Sequence, residues 1–104
     1  MKKNVTVSNL PMVGTGATIS FHSDRVAVTL IQVTHKGKRL VLQRDKATRT
    51  DHNGMSELQE YNYETDSNGE IYTATLRKDG SYRLIGGTER VSLGVRREYY
   101  DFSF

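Results

Sequence analysis

Short apolar runs separated by turn signals fill the chain from Ala17 onward. Apolar and polar residues alternate in Arg39–Arg44, whereas Val26–Thr34 is almost continuously apolar. A period of two is typical of strands, and no helical period of 3.6 residues is sustained between the turns. The pattern predicts strands over 17–22, 26–34, 39–44, 57–64, 70–78, 81–85 and 90–95. A final segment over 97–104 follows them.

Glycine-containing turns connect the predicted strands. His35–Lys38 predicts a tight hairpin with Gly37 in the left-handed conformation, because glycine adopts a positive φ at no steric cost. Further turns are predicted at 14–17, 51–54, 66–69, 78–80 and 86–87. Six or seven short antiparallel strands predict an all-β fold, namely a small barrel or half-barrel of the SH3-like type, with an OB-like barrel as the second choice.

The length of the chain accommodates one domain. Its 104 residues leave no room for a second core. Residues 1–16 are small and polar and predict an N-terminal arm, in which Val5 and Val7 are candidates for an edge strand. A single barrel domain is predicted over 17–104, and within it one helical turn is considered near Met55.

Composition narrows the setting. The chain contains no cysteine, which excludes disulfides and thiolate metal sites. It has neither the apolar run of a signal peptide nor the roughly 18 apolar residues that a membrane-spanning helix requires. These features favour the cytoplasm. Because a domain of this size buries a limited fraction of its surface and the mean hydropathy is only −0.61, a homo-oligomer is expected.

Charges are segregated along the chain. Residues 25–49 contain seven basic residues and one acid, residues 51–70 contain six acids and no base, and residues 77–97 contain six bases and two acids. One interpretation is that basic and acidic strands are neighbours and form cross-strand ion pairs. The other is that the two basic segments converge on one face that attracts phosphates. The acidic middle disfavours a long duplex and favours a compact anion.

Catalytic patterns are absent from the sequence. The three histidines, His22, His35 and His52, lack the spacing of a metal site. His22-Ser23-Asp24 has the residue types of a nucleophilic triad, but adjacent strand residues point to opposite faces, so a chain corner is predicted instead. We therefore expect no catalytic residues, no metal site, no cofactor and no enzymatic activity.

The C-terminal segment alternates aromatic and polar residues. Tyr100, Phe102 and Phe104 share one face, which predicts a closing strand of the barrel. The alternative interpretation places Arg96, Arg97 and Tyr99 at a ligand or subunit surface.

A set of motifs resembles a family of small, uncharacterised accessory proteins of phages, prophages and plasmids. The resemblance covers the chain apart from its first dozen residues. It implies a mobile-element gene expressed in a bacterial cytoplasm, a setting in which small proteins often counter host defence. It is carried by Gly16-Ala17-Thr18, Ser23-Asp24-Arg25, Gln43-Arg44-Asp45-Lys46-Ala47, Arg49-Thr50-Asp51, Asn53-Gly54-Met55-Ser56-Glu57, Gln59, Tyr61, Tyr63, Leu76-Arg77-Lys78-Asp79-Gly80 and 96–104.

Charge and resemblance together predict a binding protein. We expect it to sequester an anionic nucleotide-type ligand or to bind a short nucleic acid in a counter-defence role. Arginine suits phosphate because its planar fork binds two oxygens at once. The alternatives are an inhibitor of a host nuclease or defence effector, of the anti-CRISPR type, or a virion assembly protein. The predicted phosphate ligands are Arg25, Arg44, Arg77, Arg96 and Arg97, and the predicted stacking residues are Tyr61, Tyr63 and Tyr99.

Overall fold

Eight β-strands form in residues 11–50 and 59–99, the ranges that the computed structural model describes. They are β1 (Gly16–Ser20), β2 (Arg25–Thr34), β3 (Arg39–Arg44), β4 (Lys46–Arg49), β5 (Tyr61–Glu64), β6 (Ile71–Leu76), β7 (Tyr82–Leu84) and β8 (Arg90–Leu93). Six of these strands close into an antiparallel barrel in the order β1-β2-β3-β6-β7-β8, and β8 pairs with β1. Strands β4 and β5 form a separate two-stranded sheet, called the ribbon below, inserted between β3 and β6.

The small all-β barrel predicted from the sequence is confirmed. Each strand pairs with the next barrel strand along the chain, an order that differs from the Greek-key order of an OB-fold. β4 was not predicted, because Lys46–Arg49 has no apolar face. Closure is made by β8 and not by the C-terminal segment. The predictions for the arm at 1–10, for the turn and helical turn at 51–58, and for residues 100–104 lie outside the described residues.

Inward-facing apolar side chains of the barrel strands form the core. Alternation places one face of each strand inside, and burying each large side chain contributes roughly 1.5–3 kcal/mol. Partly buried Tyr72, Tyr82, Leu84 and Leu93 pack against this core from β6, β7 and β8. The largest fully buried side chains are Ile19, Val28, Leu30, Leu40 and Leu42.

A bulge in β2 keeps its two ends in phase with the core. The pairing of β2 with β3 shifts between Leu30 and Gln32, so Ile31 is an extra residue on the β2 side. Because of this insertion, Leu30 and Val33 both pack on the core although they are three residues apart. Ile31 is left partly exposed on the outside.

Glycines with positive φ lie in several of the predicted turns, and two further residues of the β2–β3 hairpin also have positive φ. Gly14, Gly80 and Gly86 have positive φ within the predicted turns, and Gly37 has a φ of 88° in the β2–β3 hairpin. His35 and Lys36, which precede Gly37, are also left-handed, at φ values of 55° and 57°. The predicted left-handed Gly37 is thus confirmed as the last of three such residues.

Tyr82 supports this hairpin from β7. Its hydroxyl donates a hydrogen bond to the carbonyl oxygen of Gly37, at 2.5 Å. Burial of the phenol raises the pKa of Tyr82 above its ordinary value of 10.0. The neutral hydroxyl is the form that donates the bond, so the hairpin contact needs Tyr82 to stay protonated.

Residues 95–99, called the crossing segment below, leave the barrel after β8 and pass over the outside of β1. The Thr18 hydroxyl donates to the Val95 carbonyl at 2.6 Å and accepts from the Arg97 amide at 3.0 Å. Tyr99 then exchanges two backbone hydrogen bonds with Arg25, of 2.7 and 2.9 Å. The segment therefore ends on the edge of β2 that β3 has left.

This crossing explains three buried residues on the outer side of the barrel. Thr18, Ala27 and Thr29 are at most 7% exposed, although their neighbours in β1 and β2 face the core. The near-continuous apolar run predicted in β2 arises because both of its faces are covered. Arg96 lies across Gly16, where a Cβ would overlap the guanidinium group.

Candidate functional site

A cleft of about 800 Å³ lies where the ribbon, the crossing segment and the corner after β1 meet. Each of the three elements supplies side chains from a different part of the sequence. The corner forms at residues 22–23, closed by a hydrogen bond from the Phe21 amide to the Asp24 carbonyl at 3.0 Å. The lining residues are His22, Ser23, Arg25, Gln59, Glu60, Tyr61, Tyr63, Arg97, Glu98 and Tyr99.

Two arginines provide positive charge at the cleft. The Arg97 side chain is exposed and forms no ion pair within the described ranges. Arg25 donates from Nη1 to the Asp24 carbonyl at 3.3 Å, and this contact leaves most of its donors available. Two guanidinium groups that line one cleft are suited to a bound anion.

Three tyrosines provide flat surfaces beside this charge. Tyr61 and Tyr63 alternate along β5 onto the same face, and their ring centroids lie 6.3 Å apart with an interplanar angle of 29°. The Tyr61 hydroxyl donates to Gln59 Oε1 at 2.8 Å. Tyr99, on the crossing segment, also lines the cleft.

Glu98 fixes the wall of the cleft. Its carboxylate is 1% exposed and accepts from the Ala27 amide at 2.8 Å and from Arg44 Nη2 at 3.1 Å. The Ala27 carbonyl accepts from the Asp45 amide at 3.0 Å. The Glu98 side chain thus replaces the strand neighbour that β2 loses where β3 departs, and its charge is neutralised by Arg44.

A second buried carboxylate fixes the other end of the crossing segment. Asp45 accepts from Arg96 Nε at 2.7 Å and from the Thr29 hydroxyl at 2.5 Å. Arg96 Nη2 also contacts the Thr29 hydroxyl at 3.0 Å. The consecutive residues Arg44 and Asp45 therefore pair with Glu98 and Arg96, and the two opposite-charge pairs hold one segment.

A hydrogen bond joins the ribbon to the crossing segment. The Glu98 amide donates to the Tyr63 hydroxyl at 2.8 Å. Because Glu98 is also anchored to β2, this bond ties the tyrosine face of the ribbon to the barrel. The arrangement presents stacked rings and two guanidinium groups around one opening, which is suited to a ligand with a flat ring and a negative charge.

Five of the eight predicted binding residues line the cleft, and the other three do not. Arg25, Arg97 and the three tyrosines line the cleft. Arg44 and Arg96 lie close to it but form ion pairs with Glu98 and Asp45. Arg77 is elsewhere: its guanidinium donates to the Leu84 and Gly87 carbonyls at 2.9 and 3.0 Å and holds the turn after β7.

Sequence reasoning did not single out five of the lining residues as binding residues. His22 and Ser23 were assigned to a corner, which is where they lie, and the corner borders the cleft only because Tyr99 pairs next to it. Gln59, Glu60 and Glu98 carried no signal of their own. Arg96 and Glu98, two residues apart, turn to the barrel and form ion pairs there, whereas Arg97 between them does not.

Metal-binding clusters and membrane-spanning helices were the expected absences that the described residues bear on. Within residues 11–50 and 59–99 no cluster of three or more His, Asp or Glu side chains is placed to hold a metal ion. None of the helices found there is long and apolar enough to cross a membrane. Comparisons of the chain with protein-family models, with curated proteins and with solved structures find no significant match.

Proposed function

We propose that this protein binds a compact anionic ligand of the nucleotide class in the cleft, without catalysing a reaction. The observation that carries the proposal is the convergence of Arg25, Arg97 and three tyrosines from separate parts of the chain on one opening. The volume of about 800 Å³ is within the range of small-molecule sites.

Each group has a role in the proposed complex. Arg97 and Arg25 bind the phosphate, because charge-assisted hydrogen bonds to a guanidinium are stronger than neutral ones. The ring of Tyr61 or Tyr99 stacks on the base, a contact that contributes roughly 1–3 kcal/mol per base. Glu98 does not oppose the phosphate strongly, since Arg44 neutralises it.

The resemblance to mobile-element proteins suggests a biological role for this binding. A protein that sequesters a nucleotide signal of the host would act against a defence pathway in the bacterial cytoplasm. Binding without turnover suffices for that role. The expected homo-oligomer stays a prediction, which light scattering on the purified protein tests.

Calorimetric titration at low salt tests the proposed function. The panel consists of cyclic nucleotides, ADP-ribose derivatives and short oligonucleotides. We expect at least one class to bind, and we expect Arg97→Ala to weaken that binding about 10-fold, because a charge-assisted hydrogen bond contributes roughly 1.5–3 kcal/mol. Arg39→Ala is the matched control, since it removes an exposed arginine from the outer side of β3, away from the cleft.

Two results would contradict the proposal. One is the absence of binding by every member of the panel at low salt. The other is an equal loss of affinity in Arg97→Ala and Arg39→Ala, which would indicate attraction by net charge alone.

One observation favours a second candidate, a protein-binding inhibitor. Within the described residues the ribbon consists of two strands, and its outer face carries exposed Glu64 beside Lys46. An unpaired strand edge is able to add a strand from another protein. On this alternative, a nuclease captured from a host lysate would be lost in Glu64→Lys and retained in Arg97→Ala, the reverse of what nucleotide binding predicts.

A further inference from the structure

Arg25 and Arg90 lie in one row across the outer side of the barrel. Ser20 of β1 is directly opposite Arg25 of β2 and also directly opposite Arg90 of β8. Tyr99 extends the row by pairing with Arg25. Directly opposed residues project to the same face of a sheet, so these side chains share the outer face.

The alternation of the core confirms that this face is outside. Ile19, Val26 and Val91 are each adjacent in sequence to a member of the row, and all three are core residues. Two strand spacings separate the backbones of Arg25 and Arg90, which is about 10 Å. The row therefore leads from the cleft along the barrel surface to a second arginine.

Two further depressions adjoin the cleft at Arg25. One, of about 420 Å³, is bordered by Ser20, His22 and Arg90, and the other, of about 210 Å³, by Thr18, Ser92 and Arg97. Arg25 borders both of them as well as the cleft. Arg90 is exposed and does not border the cleft, so a ligand confined to the cleft would not contact it.

The composition of the depressions differs in a way that fits a linear ligand. All three tyrosines of the row and ribbon face the cleft. The depression at Arg90 contains no tyrosine and is lined by hydroxyl groups, a histidine, two arginines, Glu89 and Phe21, which packs against the core. Stacking surfaces followed by a track of cations are typical of proteins that bind single strands.

We propose that the ligand is a single-stranded oligonucleotide whose first base occupies the cleft and whose backbone continues past Arg25 to Arg90. This inference rests on the proposed function, because it requires a nucleotide in the cleft. It adds the path that the oligonucleotide takes over the barrel surface and a second phosphate contact, at Arg90. A mononucleotide would use Arg25 and Arg97 only.

Glu89 offers an internal check on the path. Its side chain borders the same depression as Arg90, near Gly87. A phosphate bound there would be repelled by this carboxylate. Neutralising it should therefore tighten binding of a ligand that reaches the depression and leave binding of a shorter ligand unchanged.

The experiment compares adenosine 5′-monophosphate with deoxyadenylate oligomers of two and four residues, titrated against the full chain at several salt concentrations. We expect the oligomers to bind more tightly than the mononucleotide. Arg90→Ala should weaken the four-residue oligomer about 5- to 10-fold and lower the dependence of log affinity on log salt by about 0.7, the value for one phosphate contact on a single strand. Mononucleotide affinity should not change.

Glu89→Gln should tighten binding of the oligomer. Arg39→Ala should leave it unchanged, because β3 is the strand farthest from β8 in the order of the closed barrel. Equal affinities for the mononucleotide and the oligomers would overturn the proposed path while leaving the proposed function intact. The same holds for an equal loss in Arg90→Ala and Arg39→Ala. Absence of binding by all three ligands would overturn the proposed path, and the proposed function would fall as well if the cyclic nucleotides and ADP-ribose derivatives also did not bind.

Discussion

Asp45 and Glu98 are carboxylates at the outer side of β2, and each side chain is only 1% exposed. Burying a charge is costly unless it is paired and its remaining lone pairs are hydrogen-bonded. Both conditions are met here, since Asp45 contacts Arg96 and the Thr29 hydroxyl, and Glu98 contacts Arg44 and a backbone amide. These ion pairs fix the position of the crossing segment.

The same residues mark the limit of sequence reasoning at this scale. Arg44 and Arg96 were predicted to bind phosphate because they are arginines in basic segments. The structure gives each a buried carboxylate that lies more than 50 residues away in the sequence. No local pattern identifies such a partner. The basic residues themselves are visible in the sequence, and two of them, Arg25 and Arg97, line the cleft.

Tyr82→Phe tests the contact between β7 and the hairpin. Loss of the hydrogen bond to the Gly37 carbonyl should lower the free energy of unfolding by about 1 kcal/mol at neutral pH. The pKa of Tyr82 is raised in the folded state, so its contribution is fully present below pH 10 and is lost as the pH rises through the folded pKa.

The measurement is urea unfolding of both proteins from pH 7 to pH 11. The gap between wild type and Tyr82→Phe should stay constant up to about pH 9 and narrow above pH 10. Tyr72, whose pKa is also raised by burial and by its bond to Glu70, is present in both proteins and cancels in the comparison. A gap that persists unchanged to pH 11 would refute the role given to the hydroxyl.

At the scale of elements, β2 is the strand that pairs with β1, with β3 and with the crossing segment. It pairs with β1 on one side along its first half, and with β3 on the other until β3 leaves at Asp45. Beyond that point its edge is completed by the Glu98 side chain and the Tyr99 backbone. One strand therefore joins the barrel to the wall of the cleft.

Strands could be predicted from the sequence where apolar and polar residues alternate within the strand itself. Alternation gave β3 with its bounds as observed, and it gave most of the other barrel strands to within a few residues. It missed β4, whose side chains alternate between exposed and half-buried without an apolar face. It also misassigned the closure of the barrel, because the pairing of β1 with β8 depends on register between distant segments.

Tyr63→Phe tests the link between the ribbon and the crossing segment. The variant keeps the ring but removes the acceptor of the Glu98 amide, so we expect a loss of about 1–2 kcal/mol in the free energy of unfolding. Amide exchange at Glu98, followed by NMR, should become faster.

Tyr61→Phe is the matched control on the same face of β5. Its hydroxyl bonds to the Gln59 side chain and to no backbone group of the crossing segment within the described residues, so Glu98 exchange should not change. Equal exchange at Glu98 in wild type and Tyr63→Phe would show that the ribbon is held to the barrel by other contacts.

At the scale of the molecule, residues 11–50 and 59–99 form a barrel with a buried core and a ribbon that contributes no buried residue to that core. Every fully buried large side chain named above comes from a barrel strand, and neither β4 nor β5 has a buried residue. Local opening costs least where few apolar contacts are broken. The ribbon is thus the element of lower local stability, and it carries two of the three tyrosines of the cleft.

Hydrogen exchange by mass spectrometry tests this division. Peptides from β2 and β3 should exchange slowest, and peptides from the ribbon should exchange at least 10-fold faster, because a two-stranded sheet has little protection of its own. A ligand bound in the cleft should slow exchange in the ribbon and leave β6 and β7 unchanged. Uniform protection across both sheets would contradict the division.

Closure of the barrel by β8 has a consequence for how the chain folds. Hairpins such as β2–β3 and β6–β7 join segments that are neighbours in sequence, whereas Ala17 must find Leu93 across most of the chain. Pairing β1 with β8 closes a long loop, so the chain loses conformational entropy before the packing of these two strands can stabilise the barrel. Folding should therefore follow the milliseconds-to-seconds regime of proteins with high contact order. The cleft would form only afterwards, because its wall begins where β8 ends.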